Sequence, residues 1–209
     1  TAKAETYFTE DAAINRKNIE GSLHFMSEKE ISNYLSTFTL NQNLLFSFTQ
    51  KSLSQQLIPV CYDNCLFYKG LLLNSINQIK RLASSSPGTA EEYNLFKSYK
   101  RQLAEQYSMP LAEQNALHIE ELEEKANTIE KKLANSVNGF ANLLSQVDWT
   151  QVQSNLKLSE AAIEFVNYNY VDEESTDSIR YAALVLKPGM KSPLFIPLFD
   201  EKEFRAILS

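Results

Sequence analysis

Ala162-Ile163-Glu164-Phe165-Val166-Asn167-Tyr168-Asn169-Tyr170 is the stretch at which the sequence turns from helix to strand. It is rich in β-branched and aromatic residues, which suit a pleated, half-buried surface. The change of pattern begins at Leu156. Downstream, Asp172-Glu173-Glu174-Ser175-Thr176-Asp177-Ser178 reads as a polar, acidic connection. Tyr181 to Leu186 reads as a second strand, closed by a Pro188-Gly189 turn. Leu194 to Leu198 is a third strand, whose ladder bonds Pro193 and Pro197 restrict. Connections this short favour an antiparallel meander. Glu201 to Leu208 then reads as the start of a helix. Three strands make a poor independent domain, because one face still needs cover. Either the helices upstream supply that cover or more sheet follows in a longer parent chain.

Everything before Leu156 carries helical spacing. Met26-Ser27-Glu28-Lys29-Glu30-Ile31 is a helix start, with Ser27 as cap, Glu30 three residues on for a capping box, and Met26 placed to staple onto Ile31. The apolar positions that follow are Ile31, Tyr34, Leu35, Phe38, Leu45 and Phe48. Thr9 to Gly21 predicts a shorter helix before it. A further helix is expected from about Pro59 to Ala83, with the stripe Cys65, Lys69, Leu72, Ile76, Ile79 and Ala83. Ser84-Ser85-Ser86-Pro87-Gly88 breaks it, and Thr89 with Glu92 repeats the capping-box spacing. Tyr93, Phe96, Tyr99, Leu103 and Tyr107 mark the next helix, ending near Met109-Pro110. The longest helix is expected from Pro110 to about Val147. Its stripe of Leu122, Ala126, Ile129, Leu133, Val137, Phe140, Leu144 and Val147 suits an antiparallel hairpin or a coiled coil. Asn115 and Asn138 would interrupt an extended dimer seam and favour the hairpin. Asp148 with Gln151 starts a short helix around Trp149. The fold class is therefore α+β, mainly α: long antiparallel helices in a hairpin or bundle, then a small three-stranded antiparallel meander. The expected division is 1–155, helical, and 156–209, strands.

The chain has 209 residues, 44% apolar and 22% charged, near the averages for globular domains. With 20 basic and 26 acidic residues the net charge is −6, which argues against a nucleic-acid partner. No apolar run approaches the ~20 residues that span a bilayer, so no membrane partner is expected. The opening Thr1-Ala2-Lys3-Ala4-Glu5-Thr6 has no apolar h-region and no initiator Met, which suggests trimming. Two cysteines make no disulfide framework, and reduced buried thiols suit a cytoplasmic setting.

Catalytic material is scarce, and no catalytic, cofactor-binding or metal-binding residue is assigned. His24 precedes a helix cap and His118 lies near the edge of an apolar stripe, so both read as edge or hydrogen-bonded histidines. Cys61 and Cys65 share a helical face and offer two metal ligands, but no nearby His or Cys completes four. Buried small apolar residues are the better reading. Glu160 and Glu164 bracket the first strand's start as an acid–base pair or, more simply, as surface charge. Lys69-Gly70 is the most unusual local feature. A mid-helix Gly costs roughly 1 kcal/mol against Ala, which a close helix contact would repay. Lys69 would then snorkel or pair with a carboxylate. Glu120, Glu121, Glu123 and Glu124 read as a solvated face.

Leu158-Ser159-Glu160-Ala161-Ala162-Ile163-Glu164-Phe165-Val166 resembles the opening strand of CHAT domains, the caspase-like domains related to separase that follow tetratricopeptide arrays. Tyr181-Ala182-Ala183-Leu184-Val185-Leu186-Lys187-Pro188-Gly189 resembles that domain's second strand, and Pro193-Leu194-Phe195-Ile196-Pro197-Leu198-Phe199 its third. Tyr62-Asp63 with Leu66-Phe67-Tyr68-Lys69-Gly70-Leu71-Leu72-Leu73 is similar to the helix preceding it. The likeness covers roughly Ser27 to Ser209 and is most specific from Leu158 to Phe199. In this family the catalytic His and Cys lie well downstream of these strands. His24, His118, Cys61 and Cys65 occupy no family catalytic position, so no catalytic role carries over.

The resemblance implies the helical connector and first strands of a bacterial TPR–CHAT protein. Such a piece is not itself an enzyme; it couples a recognition array to a caspase-like cysteine peptidase domain. The other reading is a self-contained helical interaction module with no peptidase role. Its 12 Phe, 10 Tyr and one Trp supply anchors for a protein interface. Both readings expect protein partners, and both allow self-association through the long helix or an exposed sheet edge.

Overall fold

No Gly or Pro interrupts the chain from Ala2 to Glu20, so the first helix starts well before Thr9. In the computed structural model, which describes residues 2–22, 26–83, 87–135, 147–172 and 178–208, α1 runs Ala2–Ser22. The capping box forms as the sequence predicts: Ser27 N–H donates to Glu30 Oε2 at 2.9 Å, and Glu30 N–H reaches Ser27 Oγ. The helix it starts, α2, is Glu28–Ser36 and buries Ile31 and Leu35. It does not continue to Phe48. Ser36-Thr37-Phe38 holds weak helix formers, and a new helix, α3, starts at Thr39 and ends at Ser52.

Ser54 caps the next helix through its side chain and carbonyl, and α4 spans Leu57–Ala83. Pro59 sits in its first turn, where a missing N–H costs nothing. α5, Pro87–Ser108, begins on its proline rather than on a Thr89 cap. The long helix expected from Pro110 is shorter. A 3₁₀ turn occupies Leu111–Glu113, Asn115 Oδ1 accepts from His118 N–H at 3.1 Å, and α6 runs Ala116–Asn135. The expected stretch at Val137, Phe140 and Leu144 lies outside the described residues, as do the Ser84–Ser86 break and His24. α7 is Trp149–Asn155, and Asp148 and Gln151 form the reciprocal box at its start.

The strands are β1, Ala162–Tyr170, β2, Ser178–Leu186, and β3, Leu194–Asp200, followed by α8, Glu201–Leu208. They form an antiparallel meander in the order β1-β2-β3. The β2–β3 turn is Lys187-Pro188-Gly189-Met190. Gly189 takes φ +76°, and Lys187 C=O accepts from Met190 N–H at 3.3 Å, as a type II turn requires. Gln153 Nε2 donates to Lys187 C=O and Met190 C=O and fixes this turn to α7.

The chain packs into two compact units. One holds Thr1–Asn18, Ser36–Gly70 and Gln146–Ser209, and the other Ile19–Leu35 and Leu71–Ser145. The expected division at residue 155 follows chain order, whereas packing groups the sheet with α3 and the first half of α4. In this unit Leu57, Ile58, Cys61 and Tyr62 of α4 and Phe46 of α3 share a core with Tyr168, Tyr170, Leu184, Leu186 and Phe195. Phe46 stacks on Tyr168, and the Arg180 guanidinium lies over the Tyr170 ring. In the other unit α5 and α6 form the antiparallel hairpin, closed by Phe96, Leu103, Leu122, Ala126 and Leu133.

Candidate functional site

Every second residue of a strand faces the same way. Ala162, Glu164, Val166, Tyr168 and Tyr170 of β1 face the core, opposite Leu186, Leu184, Ala182, Arg180 and Ser178 of β2. The row Val166–Ala182–Pro197 has small side chains between bulkier rows on either side. There the β2–β3 register shifts between Tyr181 and Ala182, so that Pro197 and Phe199 have β2 partners and Leu198 between them has none. A cavity of about 530 Å³ lies at this point, lined by Phe46, Cys65, Lys69, Val166, Ala182 and Leu198 among others. Its size and mostly apolar lining fall in the range of ligand-binding clefts.

Lys69 stands at the cavity's polar corner. Its ammonium pairs with the Glu164 carboxylate and donates to Phe165 C=O at 3.3 Å. The pairing with a carboxylate expected for Lys69 is therefore present. The close helix contact expected at Gly70 is not found among the described residues, where a Cβ meets nothing within 4 Å. Glu160 is engaged separately, with Lys157, so the two carboxylates form no acid–base pair.

Both cysteines are buried. Cys61 Sγ contacts Thr49 Oγ1 at 3.3 Å, and burial pushes its thiol up to about 12. Burial raises Cys65 as well, with the neighbouring Cys61 adding to it. Neither is a thiolate near neutral pH, so neither is an activated nucleophile. Tyr62, 0% exposed, has a hydroxyl without a hydrogen-bond partner among the described residues, and burial with the nearby Glu164 raises its phenol to about 12. Asp63 accepts from Trp149 N–H at 2.7 Å; burial raises its pKa more than that bond lowers it. His118 is half-buried on α6. Among the described residues no three His, Cys, Asp or Glu side chains are grouped to hold a metal, and no helix is long and apolar enough to cross a membrane.

Asn43 and Ser47, which hold the C-terminal end of β1, carried no sequence signal, because their partners lie more than a hundred residues away in the chain. No protein-family model matches the chain, and no match was found among curated proteins or solved structures.

Proposed function

We propose that this chain is the non-catalytic part of a TPR–CHAT protein, coupling a repeat-type recognition region to a caspase-like peptidase domain whose His and Cys lie beyond it. The likeness of the three strand sequences to that family suggests the reading, and one structural observation supports it. On the face of the sheet turned away from the core, α8 packs at one end, where Phe204 stacks on Phe199 beside Tyr181, and the other end is apolar and exposed. Ile163 is 48% exposed, Phe165 65% and Ile196 41%, with Leu194 beside them. An antiparallel sheet with one solvated face ordinarily alternates apolar with polar residues, so this face fits a sheet covered by a further layer. A self-contained adaptor would be expected to cover or polarise it. Bacterial origin and a cytoplasmic setting belong to the same proposal.

An antibody raised to the chain tests it in the native cell. The reading expects a product much larger than 23.8 kDa. It also expects that an active-site thiol probe labels this product and that activated preparations cleave protein. A native product of 23.8 kDa, or a larger one never labelled and never active, overturns the peptidase reading in favour of an adaptor.

A further inference from the structure

β1 also presents an edge. In an antiparallel strand the N–H and C=O of one residue point the same way, and successive residues alternate. Asn169 N–H donates to Asn43 Oδ1 at 3.2 Å and Val171 N–H to Ser47 Oγ at 2.9 Å, so the odd-numbered residues turn away from β2. Phe165 C=O, which accepts from Lys69, follows the same alternation. α3 begins at Thr39 and meets this edge through Asn43 and Ser47, at the C-terminal end of β1. Toward the N-terminal end, the N–H of Phe165 and both backbone groups of Ile163 and Asn167 have no protein partner among the described residues. Phe165, Val166 and Asn167 also line the cavity of about 530 Å³.

We propose that the β1 edge from Ile163 to Asn167 is a docking site for an extended peptide segment of a partner protein, which adds as a fourth strand and places one apolar side chain in the cavity. The unpaired main-chain donors and acceptors recognise an extended backbone, and the adjoining cavity selects the side chain. An N–H of the incoming strand replaces Lys69 at Phe165 C=O, and the lysine stays on Glu164. A second copy of β1 is a poorer occupant. Its core-facing positions at this level are Glu164 and Val166, and burying that carboxylate is costly.

A randomised linear dodecapeptide display library, presented to the full chain, is the probe. Enriched peptides are expected to carry an apolar residue within a β-forming run. At saturation they should slow amide exchange at Phe165 and Asn167 by about tenfold or more while leaving Asn169, already bonded, unchanged. Asn167→Pro removes one edge donor without touching a ladder bond to β2, so it should weaken binding by about tenfold at an unchanged melting temperature. If that variant fails to fold, the exchange map of the unaltered chain decides. No enrichment over a control protein, protection at a different surface, or the same protection without peptide through pairing of two copies would each overturn the proposal. None of these outcomes depends on a peptidase parent, so they leave that reading to its own test.

Discussion

Tyr62 is buried on α4 with a hydroxyl that no group among the described residues satisfies. Deleting a well-bonded buried hydroxyl costs about 1 kcal/mol, whereas deleting an unsatisfied one removes a desolvation penalty. Tyr62→Phe should therefore leave stability unchanged or raise it by up to ~1 kcal/mol, read from urea unfolding; a clear loss would mean that a bound water serves the hydroxyl. Glu130 makes a related prediction with a pH signature. It is 3% exposed, it accepts from Glu28 N–H at 2.9 Å, and burial raises its pKa despite that bond. Its folded pKa lies above its unfolded one, so the folded state holds the proton more tightly and this group's contribution to stability falls as pH rises through that window. Glu130→Gln keeps the acceptor and removes the charge. The variant should be more stable than the parent at pH 7, with the gap closing as pH falls through the raised folded pKa and gone below 4.5, the group's ordinary value; denaturant midpoints at pH 7 and below 4.5 check it. The residue-scale features legible in the sequence were those with partners three residues away, such as Ser27 with Glu30 and Asp148 with Gln151. The burial of Glu130 against Glu28 was not, because nothing local distinguishes it from the solvated glutamates around it.

Gly70 and Gly189 separate two uses of one residue at the level of the element. Gly189 sits at φ +76° in the β2–β3 turn, a region that side-chain-bearing residues occupy only at a cost. Gly70 lies inside α4 without positive φ, and no atom of the described residues lies within 4 Å of the position of its absent methyl. Gly189→Ala should then cost about 1 kcal/mol or more, while Gly70→Ala should stabilise by about 0.5–1 kcal/mol. Thermal melts of the two variants side by side check the opposite signs. A loss at Gly70 would point instead to a helix bend or a close approach. Strand identity and order were legible because alternation and the Pro-Gly turn are local signals. Helix ends were less so. Ser36-Thr37-Phe38 ends α2 where the apolar spacing runs on, and Asn115 caps α6 five residues after the proline at which its start was expected. The cavity was illegible for a different reason. It arises from one register shift and one row of small side chains, and both exist only once three strands are paired.

Viewed across the whole molecule, the open sheet face is the feature with the largest physical consequence. Ile163, Phe165, Leu194 and Ile196 are all exposed, and the β2 residues between them, Val185 and Ala183, offer no charge. Contiguous apolar surface of this kind associates in water unless something covers it. The isolated chain should therefore self-associate in a concentration-dependent way, which sedimentation velocity across a hundredfold dilution would show. Leu194→Lys with Ile196→Lys charges β3 on the side of the sheet away from the β1 edge, and so leaves the peptide site intact. Substitutions at exposed positions ordinarily change stability by within about 0.5 kcal/mol, so the double variant should remain folded. It should sediment as a monomer at concentrations where the parent does not. Asn167→Pro should leave the association unchanged, because it alters the edge and not the face. The reverse pattern, with the proline breaking the association and the lysines sparing it, would place the contact at the strand edge and show that the apolar face is tolerated in water.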